Sequence, residues 1–186
     1  MPTTTNQVAL LDDEGSDTSF RRLVYGVFTL SVNFERIRNL VASALNLSGI
    51  QYHILMVVAE LSKERTVSVT DVAGKLHTSG AYVTTEVKKL VHLGLLNKKP
   101  NPEDKRSVVI ALTIEGQNTI EEFAPFLREI NDGLFDAIGP ETFKTFLAIV
   151  EHMTHSSANG VNIADRIARE YSRIRAGTTD KFALTR

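Results

Sequence analysis

Between Ser79 and Arg106 the chain collects side chains suited to holding a polyanion, not to breaking bonds. Ser79, Gly80, Ala81, Tyr82, Thr84, Thr85, Lys88 and Lys89 fall within eleven residues, and Lys99, Lys105 and Arg106 follow on a polar segment. Threonine offers a hydroxyl to bases or phosphates and a methyl to thymine, and lysine offers a point charge to phosphate. Tyr82 is suited to stacking at a groove edge. Ser79 precedes a helical pattern, where a hydroxyl caps the helix and the free N–H groups suit an anion. Arg106 beside Asp104 is the strongest single candidate: an arginine on a tight turn fits a narrow, electronegative minor groove, and the carboxylate would hold it in place. The 79–89 stretch has no arginine, so methyl contacts, water and DNA shape would carry discrimination ahead of guanine readout.

These residues need a scaffold, and the apolar spacing supplies one. A short helix is predicted over Val69 to His77, with Val72, Ala73 and Leu76 on one face. Thr78-Ser79-Gly80 breaks it. A second helix carries Val83, Val87, Leu90 and Val91 as one stripe and ends at Gly94, the residue type that best adopts a left-handed C-terminus. Two β-like runs, Leu95 to Lys99 and Ser107 to Leu112, flank the turn Pro100 to Arg106, and Thr66-Val67-Ser68 is placed to add a short strand. Two helices, a turn and a basic-tipped hairpin describe a winged helix-turn-helix, whose second helix enters the DNA major groove.

Val72-Ala73, Leu76, Ser79, Val83, Leu90, Gly94-Leu95, Asp104-Lys105-Arg106 and Leu112-Thr113 with Gly116 together resemble the multiple-antibiotic-resistance regulator (MarR) family across Leu47 to Gly116. The resemblance implies a mainly α fold with a small β wing, and long N- and C-terminal helices forming a dimerisation domain. It implies a homodimer on a pseudo-palindromic double-stranded DNA operator, its half-sites about 10 base pairs apart. It also implies a repressor released by a small-molecule effector, aromatic or acidic, bound where the dimerising helices meet the DNA module. Asn33, Arg36, Tyr52, His53 and Met56 are the residues of this chain that fall there, with Arg36 or His53 suited to a carboxylate or phenolate. Two alternatives stay open: a winged helix used for protein contacts, and an activator without an effector.

Composition narrows the field. The 186 residues carry 42% hydrophobic and 23% charged side chains, ordinary for one folded unit. A net charge of −1 conceals an asymmetry: Lys63 to Arg106 holds nine basic residues against five acidic, while residues 1–19 hold four acidic and no basic ones. With no cysteine there is no disulfide, thiolate metal site or thiol switch. No run approaches the roughly 18 apolar residues of a membrane span, and the N-terminus lacks a signal-peptide pattern, so a cytoplasmic location is expected. Nucleophile-elbow, phosphate-loop, dinucleotide and zinc-protease motifs are absent, so no enzyme and no cofactor is expected. His152 and His155 lie three apart on a helical stretch beside Glu151, but two histidines at that spacing without a clear third ligand do not make a site, so no metal is assigned.

The chain order follows. Residues 1–18 read as a disordered acidic tail. Residues 19–46 form an N-terminal dimerisation helix with two apolar faces, one left for a second subunit. The DNA-binding module spans 47–112. Ser48 caps the Ile50 to Leu61 helix with Gln51 completing a capping box, and Ser68 or Thr70 caps the next. Residues 113–177 form C-terminal dimerisation helices. Thr113 is their first cap, a bend is expected at Pro125, a restart at Gly139-Pro140-Glu141, and a break over 155–160 before a last helix from Val161 to Arg175. Residues 178–186 are expected to fray.

Overall fold

The computed structural model describes residues 2–101 and 108–183, with side chains described as far as residue 175. Among the described residues, six α-helices and three strands run in the order α1 (Thr18–Ala44), α2 (Gly49–Leu61), β1 (Val67–Ser68), α3 (Val69–Lys75), α4 (Gly80–His92), β2 (Leu96–Pro100), β3 (Val108–Leu112), α5 (Ile114–Phe135) and α6 (Pro140–Ala183). The chain divides into two compact units, residues 1–127 and 128–186.

In the first unit, local chemistry sets each boundary. Asn46 takes a left-handed φ of 56° after α1, and Leu47 N–H reaches back to the Ala42 carbonyl at 2.8 Å, closing the helix. The axis then turns by 88° into α2. Ser48 and Gln51 form the expected reciprocal capping box. Ser68, not Thr70, caps α3, with Asp71 returning the bond to the Ser68 backbone N–H. β1 pairs antiparallel with β3 (Val67 opposite Ile110) and β2 pairs with the other edge of β3 (Lys98 opposite Ile110), giving the order β1-β3-β2.

One core holds these elements. Ile54, Leu55 and Val58 of α2, Val72 of α3, and Val83, Val87 and Leu90 of α4 are fully covered, and the sheet adds Val67, Leu96 and Ile110. Each such side chain contributes roughly 1.5–3 kcal/mol. Val91, expected on the buried stripe of α4, is partly open. α1 keeps a broad apolar surface in solvent, including Tyr25, Phe28, Val32, Phe34 and Leu40.

Several expectations are corrected. The 1–18 segment is tied back instead of hanging free: Asp17 is 1% exposed and accepts from the Thr4 backbone N–H and hydroxyl, both at 2.6 Å. Arg21 pairs with the same carboxylate at 3.0 Å, and these donors hold Asp17 below the usual carboxylate range. Residues 8–10 form a single 3-10 turn. The break over 155–160 is absent, and α6 runs without interruption for 44 residues, past Gly177 to Ala183. Ser156 and Ser157 donate to carbonyls one turn back, at 3.0 and 2.7 Å, so their hydroxyls are satisfied inside the helix. α5 is a single helix with Pro125 inside it. Among the described residues no single helix is long and apolar enough to cross a membrane.

Candidate nucleic-acid interface

α4 presents two opposed faces. Val83, Val87 and Leu90 lock one face into the core, and Ser79, Gly80, Ala81, Tyr82, Thr85, Lys88 and Lys89 lie exposed, with Thr84 half-buried. Ser79 caps the helix by accepting from Tyr82 N–H at 3.2 Å. The Thr84 and Thr85 hydroxyls donate to the carbonyls of Gly80 and Ala81 at 2.8 and 3.1 Å. Their protons are thus spent within the helix, leaving an acceptor oxygen and a methyl on each side chain. Such a surface can accept from cytosine or adenine amino groups and pack on thymine methyls.

The two lysines differ. Lys89 Nζ sits 2.8 Å from Glu86 Oε1 and is partly neutralised, while Lys88 has no ion pair among the described residues. The residue that sequence reasoning missed is Glu86, only 5% exposed. Its other oxygen accepts from Gln51 Nε2 at 3.0 Å, and Gln51 Oε1 accepts from the Ser48 N–H at 3.0 Å. The cap of α2 and the middle of α4 therefore share one polar chain. The available signal was spacing: Glu86 sits three residues after Val83 and four before Leu90, on the buried stripe.

The turns around α4 fix its pose. His77 adopts a φ of 49° between α3 and α4, and Thr78 N–H bonds the Ala73 carbonyl at 3.0 Å. Gly94 does the same after α4 with a φ of 76°, Leu95 N–H reaching the Leu90 carbonyl at 3.0 Å. Thr113 then fastens the far side. Its hydroxyl donates to the Gly94 carbonyl at 2.6 Å and accepts from Gly116 N–H at 2.9 Å, capping α5 as expected. A Cβ on Gly116 would collide with the Leu95 carbonyl oxygen, so only glycine allows this approach.

On the hairpin, Lys98 and Lys99 are exposed on β2, with Lys99 opposite Val109. Asp104, Lys105 and Arg106 lie outside the described residues. Beside the sheet, Asp71 accepts from the Ser68 backbone N–H (2.8 Å) and hydroxyl (2.6 Å), and from Arg65 (2.6 Å). The Ser68 hydroxyl above all, with Arg65 adding its charge, holds the Asp71 carboxyl below its usual range.

The five effector-site candidates fall on two helices, α1 and α2. Asn33 and Arg36 are exposed on α1, while Tyr52, His53 and Met56 are half-buried on α2. Burial, with the nearby Arg38 charge, pushes the His53 pKa down, and burial pushes the Tyr52 phenol up. Met56 lines a cavity of about 710 Å³ between the C-terminal half of α2 and the start of α5. Ala59, Leu112 and Ile120 give it apolar walls, with Glu60, Lys63 and Glu121 at its edges. Among the described residues no group of three or more His, Asp or Glu side chains is placed to hold a metal ion.

A short helix, a tight turn, a half-exposed second helix and a three-stranded antiparallel sheet closing on them define a winged helix-turn-helix. Residues 47–108 match the model of the MarR family, whose members are transcriptional regulators, not enzymes. The chain is 23% identical over 111 residues to the HTH-type transcriptional regulator BilQ of Clostridium symbiosum (strain WAL-14163), a match covering 60% of this chain and 77% of BilQ. It is 27% identical over 109 residues to the HTH-type transcriptional repressor YetL of Bacillus subtilis (strain 168), covering 59% of this chain and 65% of YetL. Among solved structures, the S. aureus MepR–DNA complex superposes with a TM-score of 0.62 at 19% identity, over 72% of this chain and 94% of MepR. At that identity the likeness is one of fold.

Proposed function

We propose that this chain is a homodimeric, sequence-specific DNA-binding transcriptional repressor, with α4 as the helix that enters the major groove. One observation carries the reading: α4 is anchored by three fully covered side chains while its opposite face, from the Ser79 cap through Gly80, Ala81, Tyr82 and Thr85 to Lys88, projects into solvent. Lys88, Lys99 and, beyond the described residues, Lys105 and Arg106 supply phosphate or minor-groove contacts, and Asp104 supports Arg106. The similarity to the repressor YetL and to MepR, solved as a DNA complex, supports the same assignment. A second copy covers the apolar face of α1, and two copies place two α4 helices about one helical turn of duplex apart. A cytoplasmic location follows from that partner.

The cavity between α2 and α5 is the effector site in this reading, its volume within the range of roughly 300–1,000 Å³ of small-molecule pockets. A ligand there acts only if it binds the DNA-incompetent arrangement more tightly than the competent one.

The test is fluorescence anisotropy on duplexes recovered by selection from random DNA. Binding should weaken steeply with salt, and Lys88→Ala should reduce the log–log salt slope by about 1. Failure to enrich any sequence, or a slope untouched by Lys88→Ala and Arg106→Ala alike, contradicts the assignment.

A further inference from the structure

Two lysines stand side by side on α4 in different surroundings. At about 100° of turn per residue, Ala81, Thr85 and Lys88 fall along the line opposite the buried stripe, while Lys89 lies about 70° to one side, on the flank it shares with Tyr82. The flanks of a helix in the major groove run beside the phosphate rims, so a lysine there is placed to meet a phosphate. Lys89 meets a carboxylate of its own chain instead. Its Nζ is 2.8 Å from Glu86 Oε1, and the Glu86 side chain is 7% exposed against 55% for Lys89. Gln51 Nε2 donates to the other Glu86 oxygen at 3.0 Å. Gln51 is itself fixed, because its Oε1 accepts from the Ser48 N–H in the capping box of α2. The carboxylate is thus held from behind by α2, with one oxygen turned toward Lys89.

We propose that Glu86 stands in for a DNA phosphate: it occupies Lys89 and so sets how tightly α4 grips any sequence. The inference rests on the DNA binding proposed above and names a residue that tunes it. Gln51 keeps the carboxylate from turning away, so it remains beside Lys89 when a phosphate approaches. An ammonium has three donors, and one of them can still touch that phosphate. The Glu86–Lys89 pair nonetheless carries no net charge and displaces no counterion, whereas Lys88 displaces one. Each phosphate neutralised steepens the log–log salt dependence by about 0.9. Between about 1 M and 0.15 M salt, that slope amounts to about fivefold in affinity. Glu86 therefore holds the grip of α4 about fivefold below what two free lysines would give. The reduction falls on backbone contact, which carries no sequence information, so base contacts supply a larger share of the binding that remains.

The salt slope of the full-length protein, read by anisotropy on one selected and one random duplex, decides the matter. Glu86→Gln keeps the shape and an acceptor for Gln51 but frees Lys89. It should steepen the slope by about 0.9 on both duplexes and tighten binding about fivefold at about 0.15 M salt. Adding Lys89→Ala should return the slope to the wild-type value, which a purely structural effect of the glutamine would not do. A Glu86→Gln slope equal to wild type overturns the proposal, and so does a double variant as steep as Glu86→Gln alone. If Glu86→Gln loses its cooperative urea transition, Gln51→Met with Glu86→Met removes both partners of the buried hydrogen bond together, and the same slopes with and without Lys89→Ala decide. A wild-type protein that enriches no sequence removes the proposed DNA binding and this inference with it. Where Lys88→Ala flattens the slope by about 1 and Glu86→Gln changes nothing, only the inference falls.

Discussion

Replacing Glu86 with alanine tests whether the polar chain from Ser48 to Lys89 holds α4 in place. The carboxylate is 5% exposed and takes one bond from Gln51 at 3.0 Å. A bond from a neutral donor to a charged acceptor contributes about 1.5–3 kcal/mol, and Gln51 would keep an unanswered amide. The Lys89 pair adds little, because the lysine side chain is 55% exposed and solvent-screened pairs are worth about 0–1 kcal/mol. Loss of the buried stem removes about 0.8 kcal/mol per methylene. Glu86→Ala should therefore cost roughly 2–4 kcal/mol in urea denaturation. Glu86→Gln keeps the shape and an acceptor for Gln51, and should cost only about 0.5–1 kcal/mol. A double-mutant cycle with Gln51→Ala should return a coupling of about 1–2 kcal/mol. A loss below about 0.5 kcal/mol for Glu86→Ala, or no coupling to Gln51, would refute the argument.

Three other outcomes follow from the same geometry. Gly116→Ala drives a Cβ into the Leu95 carbonyl and should cost about 1–3 kcal/mol or more by denaturation, whereas Gly133→Ala, whose Cβ meets nothing, should not destabilise. His77→Gly relieves a left-handed non-glycine residue and should raise stability by about 1 kcal/mol, with the helix content unchanged in circular dichroism. With His53 held below its ordinary 6.5 by burial, the fold favours the neutral ring, so this contribution is complete above 6.5 and is lost as pH falls from there through the lowered value. The depressed Asp71 acts in the same direction at lower pH: its contribution is complete above 3.8 and disappears as pH falls through its lowered value. Urea midpoints from pH 8 to 3 should show both losses, and His53→Gln should flatten only the upper one.

Where one residue's own chemistry decides the local outcome, the sequence was readable. Ser48 with Gln51, Thr113 before α5, Gly94 after α4 and the Val83-Val87-Leu90 stripe all stand where their spacing puts them. Failures came where a distant partner decides. Nothing local shows that Thr4 would close over Asp17, or that Gln51 would make it acceptable to bury Glu86. His77 adopts a conformation that glycine or asparagine would have advertised. The run from His155 to Gly160 looks like a break by residue type, yet the 3-then-4 spacing keeps phase across it from Met153 through Gly160 to Ile167. Periodicity was the better guide there, since a serine or glycine in a long helix costs only about 0.5–1 kcal/mol each. On the exposed face of α4, the apolar spacing identifies which residues project but not that Lys89 is held by Glu86, because that pairing depends on the carboxylate being buried.

The central claim is that α4 lies in the major groove with two copies on one duplex. A hydroxyl-radical source tethered to Thr85→Cys, used with a selected duplex, tests it most directly. The account predicts two clusters of strand cuts on one face of the DNA, centred about 10 base pairs apart. A single cluster, or cuts scattered along the duplex with no fixed spacing, would contradict it.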